Sequence, residues 1–263
     1  PAGIGWATLR AILKLWLFLP ATFQGIYSAG NGPAMRCALL GVCFADDENK
    51  MQHLIRISTR MTHTDPKAEC GALAIALATR CAFRQQTFND FMADLKCLTH
   101  DYPKASDELL NLMQRIAESR KNGESTEYFV DTLGCQTGVT GYMYHSVPAV
   151  IHAWQSHPDD FAQALQSVIR CGGDTDTTAA MLGAIIGARV GKAGIPEPWL
   201  KNLIEWPRSV SWMETVAKTA VAATRSGHPS KAQPLSLLPL VGRNSVFFLL
   251  VLLHGFRRLL PPY

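Results

Sequence analysis

The sequence predicts an all-α fold, and three observations support that prediction. Apolar residues recur at helical spacing along most of the chain, as at Leu9, Leu13 and Trp16. No run alternates apolar and polar residues in the manner of a half-buried strand. The Asn-Gly pairs at 31–32 and 122–123 lie beside helical patterns and not between strand-like runs. We therefore expect a compact bundle of many helices.

Prolines, glycines and apolar periodicity set the predicted helix boundaries. Pro20 ends the first helix, and Pro33 suits the first turn of the second. Residues 67–83 are apolar nearly all round, which is typical of a helix at the centre of a bundle. The predicted helices are 8–18, 33–44, 46–59, 67–83, 87–98, 106–119, 148–155, 159–170, 176–190 and 199–206. Glycine-rich loops are predicted at 25–32 and 134–141.

Length and composition indicate a globular chain of one large or two small domains. Of 263 residues, 48% are hydrophobic and 17% are charged, which excludes a disordered chain. We assign 1–225 to a helical domain and 226–263 to a linker with an apolar C-terminal helix. The net charge of +4 is too small to predict nucleic-acid binding. The seven cysteines include no CxxC pair and several lie in apolar stretches, so we expect reduced, buried thiols and a cytoplasmic protein.

The sequence does not predict an integral membrane segment. The apolar stretch 11–23 is interrupted by Lys14 and Pro20, and the run Val246–Leu253 is only eight residues long. A bilayer span needs roughly 20 residues. Basic residues flank that C-terminal run, which leaves two interpretations of it. It is either a terminal helix packed on the core or, over 246–260, a segment bound at a membrane surface.

The segment 174–178 is the strongest candidate for chemistry. It holds two carboxylates and three hydroxyls at the glycine-rich start of a helix, and Asp174 and Thr177 share one side of the first turn. Such hard oxygen ligands suit Mg²⁺ or Ca²⁺ and not zinc. Asp and Thr are also ordinary N-cap residues. Because two crowded carboxylates repel each other unless a cation is present, the pattern favours a metal site.

Three further segments are candidates for ligand binding. Glycines on both sides of Asn31 would let a ligand approach the backbone closely, and the following helix N-terminus would attract a phosphate. His63 precedes the buried helix and either contacts a ligand or caps that helix together with Asp65. Tyr142, Tyr144 and His145 either stack on a base or belong to the core. The motifs GxSxG, GxGxxG and the P-loop are absent from the sequence.

Four segments, in order, closely resemble the ADP-ribosylglycohydrolase family, which includes the glycohydrolase that reactivates dinitrogenase reductase. The resemblance extends from about residue 3 to 210. GGDTDT followed by small residues is highly specific for that family. The segments are SAGNGPAMR at 28–36, THTDPKAECGALAIA at 62–76, GVTGYMYHSVPAVIHAW at 138–154 and IRCGGDTDTTAAMLGAIIGARVG at 169–191.

The resemblance implies an all-α orthogonal bundle of that family's type, with two Mg²⁺ ions, or Mn²⁺. It implies hydrolysis of the glycosidic bond between ADP-ribose and a protein side chain, arginine above all, or a small acceptor. Asp174 and Asp176 would be catalytic, and with Thr177 they would bind metal. The implied substrate-binding residues are Ser28, Gly30, Asn31 and Gly32 at the phosphates and ribose, His63, and Gly138 and Tyr144 near the adenosine.

The sequence departs from the family at the other half of the metal site. The family's Thr-Asp-Asp motif and catalytic Glu lie before the region that matches Pro1, and Thr-Asp-Asp does not occur here. Asp46-Asp47 follows Ala45 and comes after the Asn31 loop, so it is out of place. We therefore expect an N-terminally truncated hydrolase chain that binds metal weakly and turns over slowly. The alternative is a non-catalytic relative that binds ADP-ribose or acts as an immunity protein.

Overall fold

The structure is a computed structural model that describes residues 5–20 and 25–258. These residues contain no β-strand, only three isolated β-bridges, which confirms the predicted all-α fold. We number the helices α1 Trp6–Trp16, α2 Gly32–Cys43, α3 Glu48–Arg60, α4 Pro66–Arg84, α5 Phe88–Leu98, α6 Pro103–Lys121, α7 Thr126–Thr132, α8 Met143–Ser156, α9 Phe161–Arg170, α10 Thr175–Val190, α11 Glu197–Lys201, α12 Val210–Ser226 and α13 Leu237–Arg258.

The chain divides into two compact units, Pro1–Pro196 and Glu197–Tyr263. The sequence analysis instead assigned the boundary between residues 225 and 226.

Helices α7 and α12 are not among the predicted ones. Ser125 and Ser209 cap them by accepting hydrogen bonds from backbone N–H groups, at 3.2 and 3.3 Å. Helix α11 covers Glu197–Lys201, so it begins two residues before the predicted 199–206 and ends five residues before its predicted end.

Helix α4 is the centre of the first unit, as its apolar circumference predicts. Every residue from Ala68 to Ala82 is buried. Helix α2 packs against α4 so closely that a Cβ at Gly41 would lie 2.0 Å from the Ala76 carbonyl oxygen. Helix α10 packs against α2, α4 and α8. This shared packing fixes the starts of those helices, where the candidate residues lie.

The cysteines are free thiols, as predicted, and most are buried. Burial raises the pKa of the Cys37 thiol to about 11, so the group stays protonated and unreactive near neutral pH. Cys97 is exposed, whereas the sequence analysis predicted buried cysteines. The buried ones are Cys37, Cys70, Cys81 and Cys135.

Helix α13 is longer than the eight-residue run Val246–Leu253 that the sequence singles out. It has 22 residues, none of them buried. By length and composition it is the one helix among the described residues that could cross a membrane. The argument that the apolar run is too short to span a bilayer therefore applies to the eight residues Val246–Leu253 and not to the whole 22-residue helix. Residues 259 and 260 of the predicted surface segment lie outside the described residues.

Candidate active site

Two glycines hold the acidic turn against the neighbouring loop. Val139 donates its N–H to the Gly172 carbonyl at 3.1 Å, and Asp174 donates its N–H to the Val139 carbonyl at 2.8 Å. Gly173 has φ +73°, and a Cβ there would lie 2.1 Å from the Val139 carbonyl oxygen. A Cβ at Gly138, which has φ +116°, would lie 2.4 Å from the Gly173 nitrogen. Only glycine fits at both positions. Gly138 and Gly173 therefore determine the position of Asp174 relative to Val139.

Asp174 stands at the N-cap position of α10, but its side chain does not cap the helix. One carboxylate oxygen, Oδ1, accepts a hydrogen bond from the Thr177 hydroxyl at 2.7 Å. The other, Oδ2, accepts one from the Asn31 side-chain amide at 2.7 Å. The capping interpretation of Asp174 is therefore wrong. Its half-buried carboxylate faces side-chain donors, Thr177 is buried, and Asp176 is exposed on the same first turn.

The loop that carries Asn31 is fixed to the start of α8. Asn31 donates its backbone N–H to the Gly141 carbonyl at 2.9 Å, and Met143 donates to the Ala29 carbonyl at 2.8 Å. Asn31 is only 7% exposed, and its amide reaches Asp174 across 143 residues of sequence. The structure thus joins the glycine-rich loop, the acidic turn and the 138–144 loop, which the sequence analysis treated as separate candidates.

His63 lies directly beside the same glycine-rich loop. Ile26 pairs with His63 in a β-bridge, and a Cβ at Gly30 would lie 2.9 Å from the His63 Nε2 atom. The same Cβ would be 3.6 Å from the Ser28 hydroxyl, and a Cβ at Gly32 would be 3.4 Å from the His63 ring. The glycines therefore leave room for the imidazole. Asp65, not His63, caps α4, by accepting the Lys67 N–H at 2.9 Å.

His63 is neutral at pH 7, and we expect its burial to make stability depend on pH. Burial, with Arg36 nearby, lowers the His63 pKa to about 4. Since the unfolded chain binds this proton near pH 6.5, the free energy of unfolding should fall as pH drops from 6.5 toward 4, by on the order of 3 kcal/mol at most. Urea unfolding across that range measures the slope, and His63→Gln should reduce it.

An unchanged slope in His63→Gln would contradict this prediction. Part of the slope should persist in that variant, because burial also lowers the pKa of His152 to about 4. His152 is buried in α8 between the hydroxyls of Ser119 and Thr126. The double variant His63→Gln, His152→Gln should lose more of the slope than either single variant.

Arg36 is a positioning residue to which the sequence analysis gave no role. Its guanidinium donates to the Ser58 carbonyl at 2.7 Å, to the Thr62 hydroxyl at 2.6 Å and to the Gly32 carbonyl at 3.2 Å. Thr62 in turn contacts the Nδ1 atom of His63 at 2.8 Å. Arg36 therefore connects the start of α2 to the segment that carries His63. Its position four residues after Gly32 in SAGNGPAMR was the available signal.

The aromatic residues of the third candidate segment divide between core and surface. Tyr144 is 2% exposed, and its hydroxyl donates to the Ala105 carbonyl at 2.6 Å. Tyr142 is only partly buried and accepts a hydrogen bond from the Lys67 ammonium at 2.9 Å. A cavity of about 360 Å³ is lined by both tyrosines, His145, Glu108 and Arg115, among others. Sequence alone could not tell which of these rings is accessible.

The acidic turn fits a hard divalent cation in kind but supplies only part of a ligand set. Asp174, Asp176 and Thr177 offer oxygen donors on one helical turn, and Asn31 and Thr177 orient the Asp174 carboxylate. Mg²⁺ takes about six oxygen ligands in an octahedral arrangement. Over the part of the chain that the structure describes, no group of three His, Cys, Asp or Glu residues could hold a metal. The turn would therefore supply only part of a coordination shell, with the contact between Asp174 and Thr177 already formed.

Asp46 and Asp47 do not complete this shell. Asp47 caps α3 by accepting the Lys50 N–H at 3.0 Å. Asp46 pairs with the Arg84 guanidinium at 2.5 Å. Both carboxylates thus have structural partners, in agreement with the interpretation that this pair is not the family's upstream motif.

Comparison with known proteins defines the class to which this fold and site belong. A model of the ADP-ribosylglycohydrolase family matches residues 1–229, and the chain belongs to that family. The mouse ADP-ribosylhydrolase ARH3 is 31% identical over 207 residues, which cover 69% of this chain and 55% of that protein. The ADP-ribosylarginine hydrolase Tri1 of Serratia proteamaculans is 36% identical over 70 residues, 26% of this chain and 19% of Tri1.

A solved structure supports the same fold. It is a chain of an "ADP-ribosylglycohydrolase-related protein complex", with a TM-score of 0.59 and 25% sequence identity, covering 84% of this chain and 69% of that one. The chain spans between 55% and 62% of the length of several curated relatives, among them mouse ARH3.

Proposed function

We propose that this chain belongs to a metal-dependent hydrolase that removes ADP-ribose from a modified protein side chain, arginine above all. The single observation that carries the proposal is the hydrogen bond from the Asn31 amide to the Asp174 carboxylate at 2.7 Å. It joins the glycine-rich loop, suited to a diphosphate and ribose, to the acidic turn, suited to a divalent cation. The metal-dependent hydrolysis proposed here would need both at one place.

The residues of the site have separate tasks in this proposal. The Asn31 and Thr177 donors hold the Asp174 carboxylate in one orientation, so that it need not reorganise when substrate arrives. Neutral His63 adds no charge beside the glycine-rich loop. A divalent cation, when bound, would orient the ribose hydroxyls and stabilise the charge that develops at the anomeric carbon. Asp174, Asp176 and Thr177 are the residues that would hold it.

Arginine as the acceptor is the finer part of the proposal, and its support is the match to Tri1, an ADP-ribosylarginine hydrolase by name. Purified protein is incubated with arginine-linked and serine-linked ADP-ribosyl peptides, and free ADP-ribose is measured with Mg²⁺ and with chelator. We expect slow release from the arginine-linked peptide, lost on chelation. Release from the serine-linked peptide alone would contradict the choice of arginine. Equal release with chelator would contradict metal dependence.

The incomplete ligand set favours a second candidate function, non-catalytic binding of ADP-ribose. In the described residues, no third His, Cys, Asp or Glu joins the two carboxylates of the acidic turn in a group that could hold a metal. The same assay separates the two functions when it is combined with isothermal titration. Binding of ADP-ribose without release from either peptide would indicate the binding protein or an immunity-type relative.

A further inference from the structure

Helix α13 of the second unit exposes an apolar surface on all of its sides. Three consecutive residues, Phe248, Leu249 and Leu250, are 59%, 57% and 59% exposed. Successive residues of an α-helix point about 100° apart, so the three face different directions. Exposed apolar surface of this continuity is uncommon on soluble proteins and marks an interaction site.

We propose that α13 binds a lipid bilayer and inserts the section Val246–Leu253 among the acyl chains. The shape of the apolar surface favours lipid over a protein groove. A helix that docks in a groove presents one apolar stripe and keeps a polar face. Acyl chains surround a helix on every side, and this section has no polar face within its eight residues.

The length of α13 is compatible with insertion. The apolar section Val246–Leu253 rises about 12 Å along the helix axis, which is enough to enter one leaflet of a hydrocarbon core about 30 Å thick. The most apolar window of α13 has a mean hydropathy of 1.7. These values favour a bilayer as the occupant of the exposed surface.

The charges of α13 are complementary to anionic headgroups. The helix contains no Asp or Glu, and its basic residues flank the apolar section on both sides. Arg243 precedes it and forms an ion pair with Glu205 at 2.8 Å, while Arg257 and Arg258 follow it. Long basic side chains reach from a buried backbone to the headgroups, so both ends can be accommodated.

Flotation with vesicles tests the proposal. The whole chain is mixed with vesicles of phosphatidylcholine alone, or of phosphatidylcholine with phosphatidylglycerol, and centrifuged on a density gradient. We expect the protein to float with both and to float more with the anionic vesicles. The double variant Phe248→Glu, Leu250→Glu should reduce the partition coefficient at least tenfold. Both side chains are exposed, so circular dichroism should show unchanged helical content.

A matched control and a charge variant complete the test. Val221 is also an exposed apolar residue of the second unit, on α12, and Val221→Glu should float like the original protein. The variant Arg257→Gln, Arg258→Gln should lose the preference for anionic vesicles. The proposal is overturned if the original protein stays at the bottom of both gradients. It is equally overturned if the double glutamate variant floats as well as the original, or if α13 proves instead to hold two copies together in sedimentation experiments.

Discussion

Replacing Asp174 with alanine is expected to reduce hydrolysis of an ADP-ribosylated substrate by at least about 100-fold. The substitution removes a proposed metal ligand, and loss of even an outer-shell partner of such a ligand costs about 10- to 100-fold. It also leaves the Asn31 amide and the Thr177 hydroxyl without their shared acceptor. Release of ADP-ribose from the arginine-linked peptide, at saturating Mg²⁺, measures the effect.

The matched control is Asp159→Ala. Asp159 is an exposed carboxylate that pairs with Arg189, away from the site residues, and its removal should leave turnover unchanged. Thermal unfolding of Asp174→Ala should remain cooperative, because the carboxylate is only half-buried. Turnover of a folded Asp174→Ala protein at the original rate would contradict the role of this residue.

Replacing Gly173 with alanine is expected to be the most destabilising single change at the site. The added Cβ would lie 2.1 Å from the Val139 carbonyl oxygen and 2.5 Å from its nitrogen, both backbone atoms that are held by hydrogen bonds. The positive φ adds strain of its own. We expect the free energy of unfolding in urea to fall by more than about 3 kcal/mol, within the range of the most damaging substitutions.

Gly134→Ala separates steric conflict from backbone strain. Gly134 has φ +82°, but a Cβ there would meet no atom within 4 Å. Its replacement should cost only about 1 to 2 kcal/mol, the usual penalty of the left-handed conformation. Equal losses at Gly173 and Gly134 would mean that the Val139 contact does not constrain the acidic turn.

Local signals in the sequence predicted much of the fold. The apolar circumference of 67–83 identified the central helix α4, and Pro33 marked the start of α2. Helix α12 was missed although Ser209 caps it. The full length of α13 was also missed, because Arg243 and Asn244 interrupt the apolar pattern without ending the helix. Continuous hydrophobicity was the wrong criterion there, since helix formation tolerates single polar residues.

The candidate site was predicted in parts and not as a whole. The residue types of 174–178 indicated oxygen chemistry, and the glycines around Asn31 indicated close approach to a ligand. Nothing local showed that the Asn31 amide reaches Asp174, because that contact depends on how α2, α8 and α10 pack together. For the same reason, the burial of Tyr144 and the partial exposure of Tyr142 could not be inferred from their order in the sequence.

Isothermal titration of ADP-ribose in the presence of Mg²⁺ tests the central claim most directly, namely that the Asn31 loop and the Asp174 turn form one site. The account predicts that Asn31→Ala and Asp174→Ala each weaken ADP-ribose binding by at least about tenfold, because each removes one partner of the charge-assisted hydrogen bond that holds the two segments together as one site. Asp159→Ala should bind like the original protein. Unchanged affinity in both Asn31→Ala and Asp174→Ala would contradict it.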